Sequence, residues 1–251
     1  FTVQEPPRIS LGLPLDNTRV STVNNTFFFT PFDNSGNISN CTLILNGVPY
    51  TNISSVTEGV ENNITTFKVL NGEYNWTINC TDLSGNTGTN TSTKKFIVDI
   101  TPPTMNLTFP ESEQLVGSEL VNFNWTATDT WATNLYCNLT IDGDVNQTGI
   151  PSISEIFTNY TVSLIYGPHN WSLTCWDDLN NSNTSNTYNF TVQAPDLSTN
   201  NSRIYFNDSN PNLGDNITIN VDITNTGSST ATDFKVQFFD GKPYSRGVQI
   251  G

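Results

Sequence analysis

The sequence predicts an all-β chain of tandem β-sandwiches arranged as a rod, and three observations predict it. Residues 72–86 alternate Trp76, Ile78 and Cys80 with polar neighbours and then enter a polar turn. That period of two describes a strand with one face on a core. Residues 167–181 repeat the pattern with Trp171, Leu173 and Cys175. No segment carries a helical period bounded by caps.

Composition narrows the function classes. Only 13% of the 251 residues are charged, yet the net charge is −14 because lysine and arginine together number 9. Such a chain lacks the basic footprint that nucleic-acid phosphates require, so no nucleic-acid partner is expected. Anionic membrane surfaces are disfavoured for the same reason. No apolar run approaches membrane-spanning length, so no membrane span is expected in this segment.

The repeat sets the domain organisation. Cys41 and Cys137 lie 96 residues apart, Cys80 and Cys175 95 apart, and Pro7 and Pro103 96 apart. Asn46-Gly47 returns as Asp142-Gly143, both tight-hairpin signals. Residues 1–5 resemble the ends of the two copies (Phe96 to Pro103, Phe190 to Pro195) and read as the last strand of a preceding module. Residues 6–99 form module 1 and residues 100–194 module 2, joined by the stiff Asp99-Ile100-Thr101-Pro102-Pro103 junction. Residues 195–251 read as the first half of a third sandwich.

Within module 1, strands are expected at 8–13, 26–30, 41–45, 66–70, 74–80 and 95–98. Phe27 and Phe29 alternate inward, matched by Phe123 and Trp125 in module 2. After Pro195, a clean alternation of Ile217, Ile219, Val221 and Ile223 appears, followed by Phe234, Val236, Phe238 and an Asp240-Gly241 turn.

Four cysteines occur, with no Cys-x-x-Cys pair or histidine cluster to suggest zinc. Three connectivities are open. The nearly equal spacings favour one bridge per module, Cys41–Cys80 and Cys137–Cys175, and hence an oxidising compartment outside the cell.

The strongest compositional signal lies in asparagine. With 36 Asn and 59 Ser plus Thr, chance placement yields roughly eight Asn-x-Ser/Thr triplets, the N-glycosylation acceptor pattern, whereas the chain has twenty. They are Asn24, Asn37, Asn40, Asn52, Asn63, Asn75, Asn79, Asn90, Asn106, Asn124, Asn138, Asn146, Asn159, Asn170, Asn180, Asn183, Asn189, Asn200, Asn207 and Asn216. On the expected strands, Asn40, Asn75, Asn79, Asn124, Asn138 and Asn170 fall between inward apolar residues and so point to solvent. Covalent N-glycans there would cover sheet faces and blunt edge-to-edge aggregation.

A strand ending in cysteine, the Asp82-Leu83-Ser84-Gly85-Asn86 turn, a closing strand and an Asp-x-Thr-Pro-Pro junction together resemble the immunoglobulin-like repeats of bacterial and archaeal cell-surface proteins. The resemblance covers residues 6–194. It departs from antibody domains because Cys41 precedes the hairpin, so its bridge would join neighbouring strands of one sheet rather than cross the core. Module 2 has drifted further, with Trp176 after its cysteine and Asn180-Asn181 in the turn. From residue 195 the pattern is similar to a partial cell-adhesion-related (CARDB-like) domain, completed in cis or by a strand from a neighbouring subunit.

No enzyme is expected. Convergent catalytic groups are missing, and the lone His169 reads as a solvent-exposed residue opening a strand. In the implied sandwich, two loops meet at the end facing the preceding module. That would gather Asp99, Asp129 and Asp177 with Asp178 at one junction, and Asp33 and Asp82 near Glu5 at another. Such carboxylates are calcium candidates, although aspartate also serves turns by bonding its own backbone. Trp131 and Trp176 are the candidate sugar platforms, set against a core role for each.

The expected function is structural: a heavily N-glycosylated, extracellular filament or cell-surface adhesin component that self-associates into a filament or surface array. The alternatives are a carbohydrate- or surface-binding stalk of a larger secreted enzyme, and an S-layer or envelope protein with calcium at its junctions.

Overall fold

A computed structural model describes residues 5–34, 37–240 and 247–250. The strand expected within residues 1–5 lies, but for Glu5, outside them, as does Gly241 of the Asp240-Gly241 turn. Strands dominate throughout the described residues, and a 3-10 turn at Asn201–Arg203 is the only helical element among them.

The first sandwich contains β1 (Arg8–Leu11), β2 (Thr18–Val20), β3 (Thr26–Phe32), β4 (Ile38–Leu45), β5 (Val48–Ile53), β6 (Asn62–Thr65), β7 (Gly72–Asp82), β8 (Thr87–Thr89) and β9 (Lys94–Val98). One sheet has the order β1-β3-β6; the other runs β2-β9-β7-β4-β5, with β8 added to β7. The second sandwich repeats this arrangement strand for strand. Its elements are β10 (Thr104–Phe109), β11 (Gln114–Val116), β12 (Leu120–Thr128), β13 (Asn134–Ile141), β14 (Asp144–Ile153), β15 (Phe157–Ser163), β16 (Gly167–Trp176), β17 (Ser182–Thr184) and β18 (Tyr188–Val192). Its sheets are β10-β12-β15 and β11-β18-β16-β13-β14, with β17 on β16. The 96-residue repeat is therefore a repeat of topology.

Alternation fills both cores. Phe27 and Phe29 of β3 face Trp76, Ile78 and Cys80 of β7, all fully buried. Phe27 meets Trp76 edge-on at 5.0 Å and Phe96 at 5.1 Å. In the second core Phe123 meets Trp171 at 5.1 Å with the same tilt. The indoles differ in their polar ends. Trp171 Nε1 donates to the Pro110 carbonyl at 3.0 Å and Trp125 Nε1 to Ser152 Oγ at 3.1 Å. Lys94 Nζ sits 5.9 Å from the Trp76 ring centre while donating to the Leu11 and Gly12 carbonyls.

One expected strand is displaced. Residues 66–70 form no strand; β3 pairs with β1 on one side and on the other with β6, which ends at Thr65. Lys68 takes a left-handed φ of 60°, incompatible with a continuing pleat. The Thr66 and Val69 amides instead donate to the Asn25 and Val23 carbonyls. The short β2, β5 and β8 escape an alternation test because three to six residues with half-exposed patterns carry too little period.

Beyond Val192 the chain changes character. The pairs β19 (Leu197–Ser198) with β22 (Thr224–Asn225), β20 (Ile204–Phe206) with β21 (Ile219–Val221), and β23 (Phe238–Asp240) with β24 (Val248–Ile250) are isolated two-stranded ladders. The expected 217–223 alternation contributes only Ile219–Val221 to the ladder of β20. Ile217, Phe206 and Phe234 are about half exposed. An apolar cavity of about 680 Å³ opens between Phe206, Ile217, Ile219 and Phe238.

Candidate functional site

The alternation that builds the cores also decides what faces outward. Cys41 lies opposite Cys80 and Cys137 opposite Cys175, each pair on adjacent strands of one sheet. Both pairs are bonded, with Cα–Cα separations of 4.1 Å, and all four residues are fully buried. No free cysteine remains among the described residues. Two such bridges belong with an oxidising compartment.

None of the twenty Asn-x-Ser/Thr asparagines is buried. Asn24, Asn37, Asn52, Asn63, Asn75, Asn106, Asn146, Asn159, Asn180, Asn183, Asn189, Asn200, Asn207 and Asn216 are exposed. Asn40, Asn79, Asn90, Asn124, Asn138 and Asn170 are half-buried. Their amides differ in availability. Asn90 Nδ2 donates to the Ile9 carbonyl at 2.8 Å and its Oδ1 accepts from Ser92 N, so both ends are engaged. Asn183 Nδ2 donates to the Pro103 carbonyl at 3.2 Å. Asn24 and Asn207 use only Oδ1, accepting from Lys68 N and Thr218 N.

The junction between the sandwiches gathers charge. Asp99 closes β9, Asp129 follows β12 and Asp177 follows β16. One carboxylate oxygen from each falls within 4.8 Å of the others. Each aspartate also holds its own turn. Asp177 Oδ1 accepts from the Leu179 and Asn181 amides, and its Oδ2 from Asn181 Nδ2. Asp129 Oδ1 accepts from the Trp131 and Ala132 amides, while its buried Oδ2 has no hydrogen-bond partner. Arg19 from β2 spans the junction, donating to Asp99 Oδ2 at 2.7 Å and to both Asp178 oxygens at 2.9 Å. Asn181 Nδ2 adds a bond to the Asp99 carbonyl. Two carboxylates, Asp99 and Asp178, thus pair with one guanidinium. A hard divalent cation takes oxygen ligands, and the cluster offers carboxylate oxygens at close range.

The corresponding set at the start of the first sandwich does not converge. Among the described residues, Glu5, Asp33 and Asp82 form no such group. Glu5 turns to Arg8 at 3.3 Å. Asp82 folds onto its own loop, accepting from Ser84 N, Asn86 N and Asn86 Nδ2 at 2.8 Å each. The Asn86 bond lowers the Asp82 pKa, overcoming the opposing effect of burial, with further help from the Asn86, Ser84 and Gly85 amides.

His169 is not the exposed residue that its place beside a turn suggests. It is 8% exposed, with Nδ1 2.7 Å from Asp142 Oδ2 and Nε2 2.9 Å from the Ile165 carbonyl. Burial lowers its pKa; the Asp142 hydrogen bond, the Ile165 carbonyl and the Asp142 charge outweigh it and leave the imidazole above its ordinary value. The first sandwich has Tyr74 in this place, whose hydroxyl donates to the Leu70 carbonyl at 3.0 Å. Its alternation with buried Trp171 was the signal for an inward histidine.

Of the two candidate platforms, Trp131 is half-buried beside Asp129. Trp176 lies on the outer face of β16, stacked against Tyr136 at 6.4 Å and 28°.

No family model matches the sequence, and no curated protein matches it. Among solved structures, the chain is similar to the fibronectin(III)-like modules of CbhA from Clostridium thermocellum, at 15% identity over 74% of this chain and 94% of that one, with a TM-score of 0.37. It is similar to the FN1–FN3 domains of chicken CNTN1 at 10% identity, covering 76% of this chain and 69% of that one, with a TM-score of 0.35. It also matches the alpha-2-macroglobulin of E. coli at 11% identity over 78% of this chain, spanning 17% of that protein, with a TM-score of 0.36. The two β-sandwiches are defined by their strand ladders and closed cores.

Proposed function

We propose that this chain is a structural, heavily N-glycosylated component of an extracellular filament or cell-surface adhesin, built from tandem immunoglobulin-like sandwiches. The observation that carries the reading is the placement of the acceptor asparagines: twenty triplets occur and none of their asparagines is buried. A coat of sugars would solubilise a surface with few charges and shield sheet edges. The bridges and the Arg19–Asp178 tie would keep the rod intact and oriented. Apolar side chains at the surface beyond residue 197 support self-association or completion of a cell-adhesion-related sandwich, with further strands added in cis or by a neighbouring subunit. Intact mass spectrometry with glycopeptide mapping of the native protein tests the reading. Sugar on most of the acceptor asparagines is expected; bare asparagines throughout would remove the central claim.

A second reading concerns the junction. The convergence of Asp99, Asp129 and Asp177 with a buried, unpartnered Asp129 oxygen favours a calcium-stiffened joint of an envelope or S-layer protein. Removing calcium with a chelator would then loosen the rod in solution scattering and lower its melting midpoint. Unchanged shape and melting in chelator would sink this second reading and leave the first intact.

A further inference from the structure

We propose that Tyr136 and Trp176 form an aromatic shelf that seats the first sugar of a glycan attached to Asn138. The inference rests on the glycosylation reading and adds to it a defined place for one glycan. It begins from register. The buried Cys137–Cys175 bridge puts Tyr136 directly opposite Trp176, and Asn138 directly opposite Thr174. Because the cysteines face the core, these four neighbours face away from it. They form a square on the outer surface of the sheet.

Two corners of the square are aromatic. Tyr136 is 42% exposed, Trp176 is half-buried, and their rings lie stacked at 6.4 Å. Asn138 stands two residues from Tyr136 on the same face, roughly 7 Å along the strand. A pyranose carries a face of C–H groups, and an aromatic ring carries a negative π-face and apolar area. A sugar leaving Asn138 toward Tyr136 would bring these two faces together.

The asparagine is also prepared for attachment. Sugar is carried by Nδ2, and Asn138 is held by its other end: Oδ1 accepts from the Gly149 amide at 2.9 Å. Gly149 sits in a bulge of β14 with a left-handed φ of 64°. Nothing lies within 4 Å of the space that a Cβ there would occupy. The side chain is thus oriented by the protein beside open space, and the attachment bond leaves that orienting contact intact. The first sandwich places Asn40, Thr42, Asn79 and Thr81 around its own bridge, a square with two acceptor asparagines and no aromatic ring. Its glycans have no shelf.

A cross-strand aromatic pair also stabilises a sheet on its own account, and the experiment separates the two roles. Glycopeptide mapping comes first; a bare Asn138 overturns both glycosylation at this position and the shelf. With Asn138 occupied, Asn138→Gln is made in the wild-type background and in Tyr136→Val/Trp176→Val, all produced in a host that glycosylates Asn-x-Ser/Thr. Losing the glycan is expected to lower the melting midpoint of the second sandwich in the wild type and to leave it unmoved without the rings. Equal drops in both backgrounds overturn the shelf while glycosylation stands. Should the ring-free protein fail to fold, proton NMR of the folded wild type decides. The sugar on Asn138 is expected to show upfield ring-current shifts that vanish on denaturation; unshifted sugar protons overturn the shelf.

Discussion

Replacing Cys41 and Cys80 together by valine isolates what the first bridge contributes. The bridge joins β4 to β7, which are already paired from Ile38 to Leu45. The native state therefore gains no new tertiary connection from it, and the stabilisation must come from restricting the unfolded chain. The bonded residues are 39 positions apart, a loop whose closure removes about 13 cal/mol/K from the unfolded ensemble, or about 4 kcal/mol at 25 °C. A sandwich of roughly 95 residues unfolds with an entropy of about 0.2 kcal/mol/K, so the loss corresponds to a fall of about 20 °C in the midpoint. Valine suits a buried strand position and leaves no polar group behind. The assay is calorimetric unfolding of the double variant beside Cys137→Val/Cys175→Val, whose bridge spans 38 positions and should cost the same. A midpoint fall of less than about 5 °C in both would refute the reasoning, since it would mean that the unfolded chain is hardly restricted by either bridge.

Trp171→Ala should cost about 3–5 kcal/mol by cavity formation in the second core, measured by chemical denaturation, because Trp171 is fully buried and also satisfies the Pro110 carbonyl. Raising the pH should weaken the second sandwich through His169. Its folded pKa is raised, so its stabilisation is complete below the unfolded value near 6.5 and is lost as pH rises through the folded value. Denaturant midpoints between pH 6 and 9 should fall more for the wild type than for His169→Phe; parallel curves would refute the linkage. Arg19→Met should cost about 1–2 kcal/mol, less than breaking a fully buried pair because the guanidinium keeps some solvent access, and should broaden the inter-sandwich angle seen by solution scattering. Glycopeptide mapping should find Asn90 and Asn183 less occupied than Asn63 or Asn159, because their amide nitrogens already donate to the Ile9 and Pro103 carbonyls.

Much of the fold was legible because the informative strands are long. β7 and β16 carry 11 and 10 residues, enough for a period of two to show and for their cysteines to mark the same rung in both copies. The short strands were not legible: β2 and β8 exist only because a neighbouring strand offers a free edge. The displaced strand at residues 66–70 shows the same limit. Its apolar residues suit a strand, but the left-handed Lys68 and the tether of Thr66 and Val69 to the preceding loop end the pairing at Thr65.

For the candidate sites, triplet counting locates the candidate acceptor asparagines, since that motif is local in sequence. Which amides are already engaged depends on loops as distant as Ile9 from Asn90 and Pro103 from Asn183, so no local pattern reports it. The carboxylate junction was foreseeable only through the implied sandwich. Loop placement by the fold brings Asp99, Asp129 and Asp177 together, whereas Glu5 pairs with Arg8 and Asp82 bonds its own loop. His169, a lone histidine opening a strand beside a turn, reads as polar and exposed. Its alternation with Trp171 and its pairing with Asp142 turn it inward.

By itself the sequence determined the all-β class, the twofold repeat, the cysteine rungs and the outward asparagine rows, because periodicity and spacing act along the chain. Only the tertiary structure decided that Arg19 ties one sandwich to the next. It also decided that Tyr136 and Trp176 meet beside Asn138. Those contacts depend on strand register and on loop closure across tens of residues, where position in space no longer follows position in sequence.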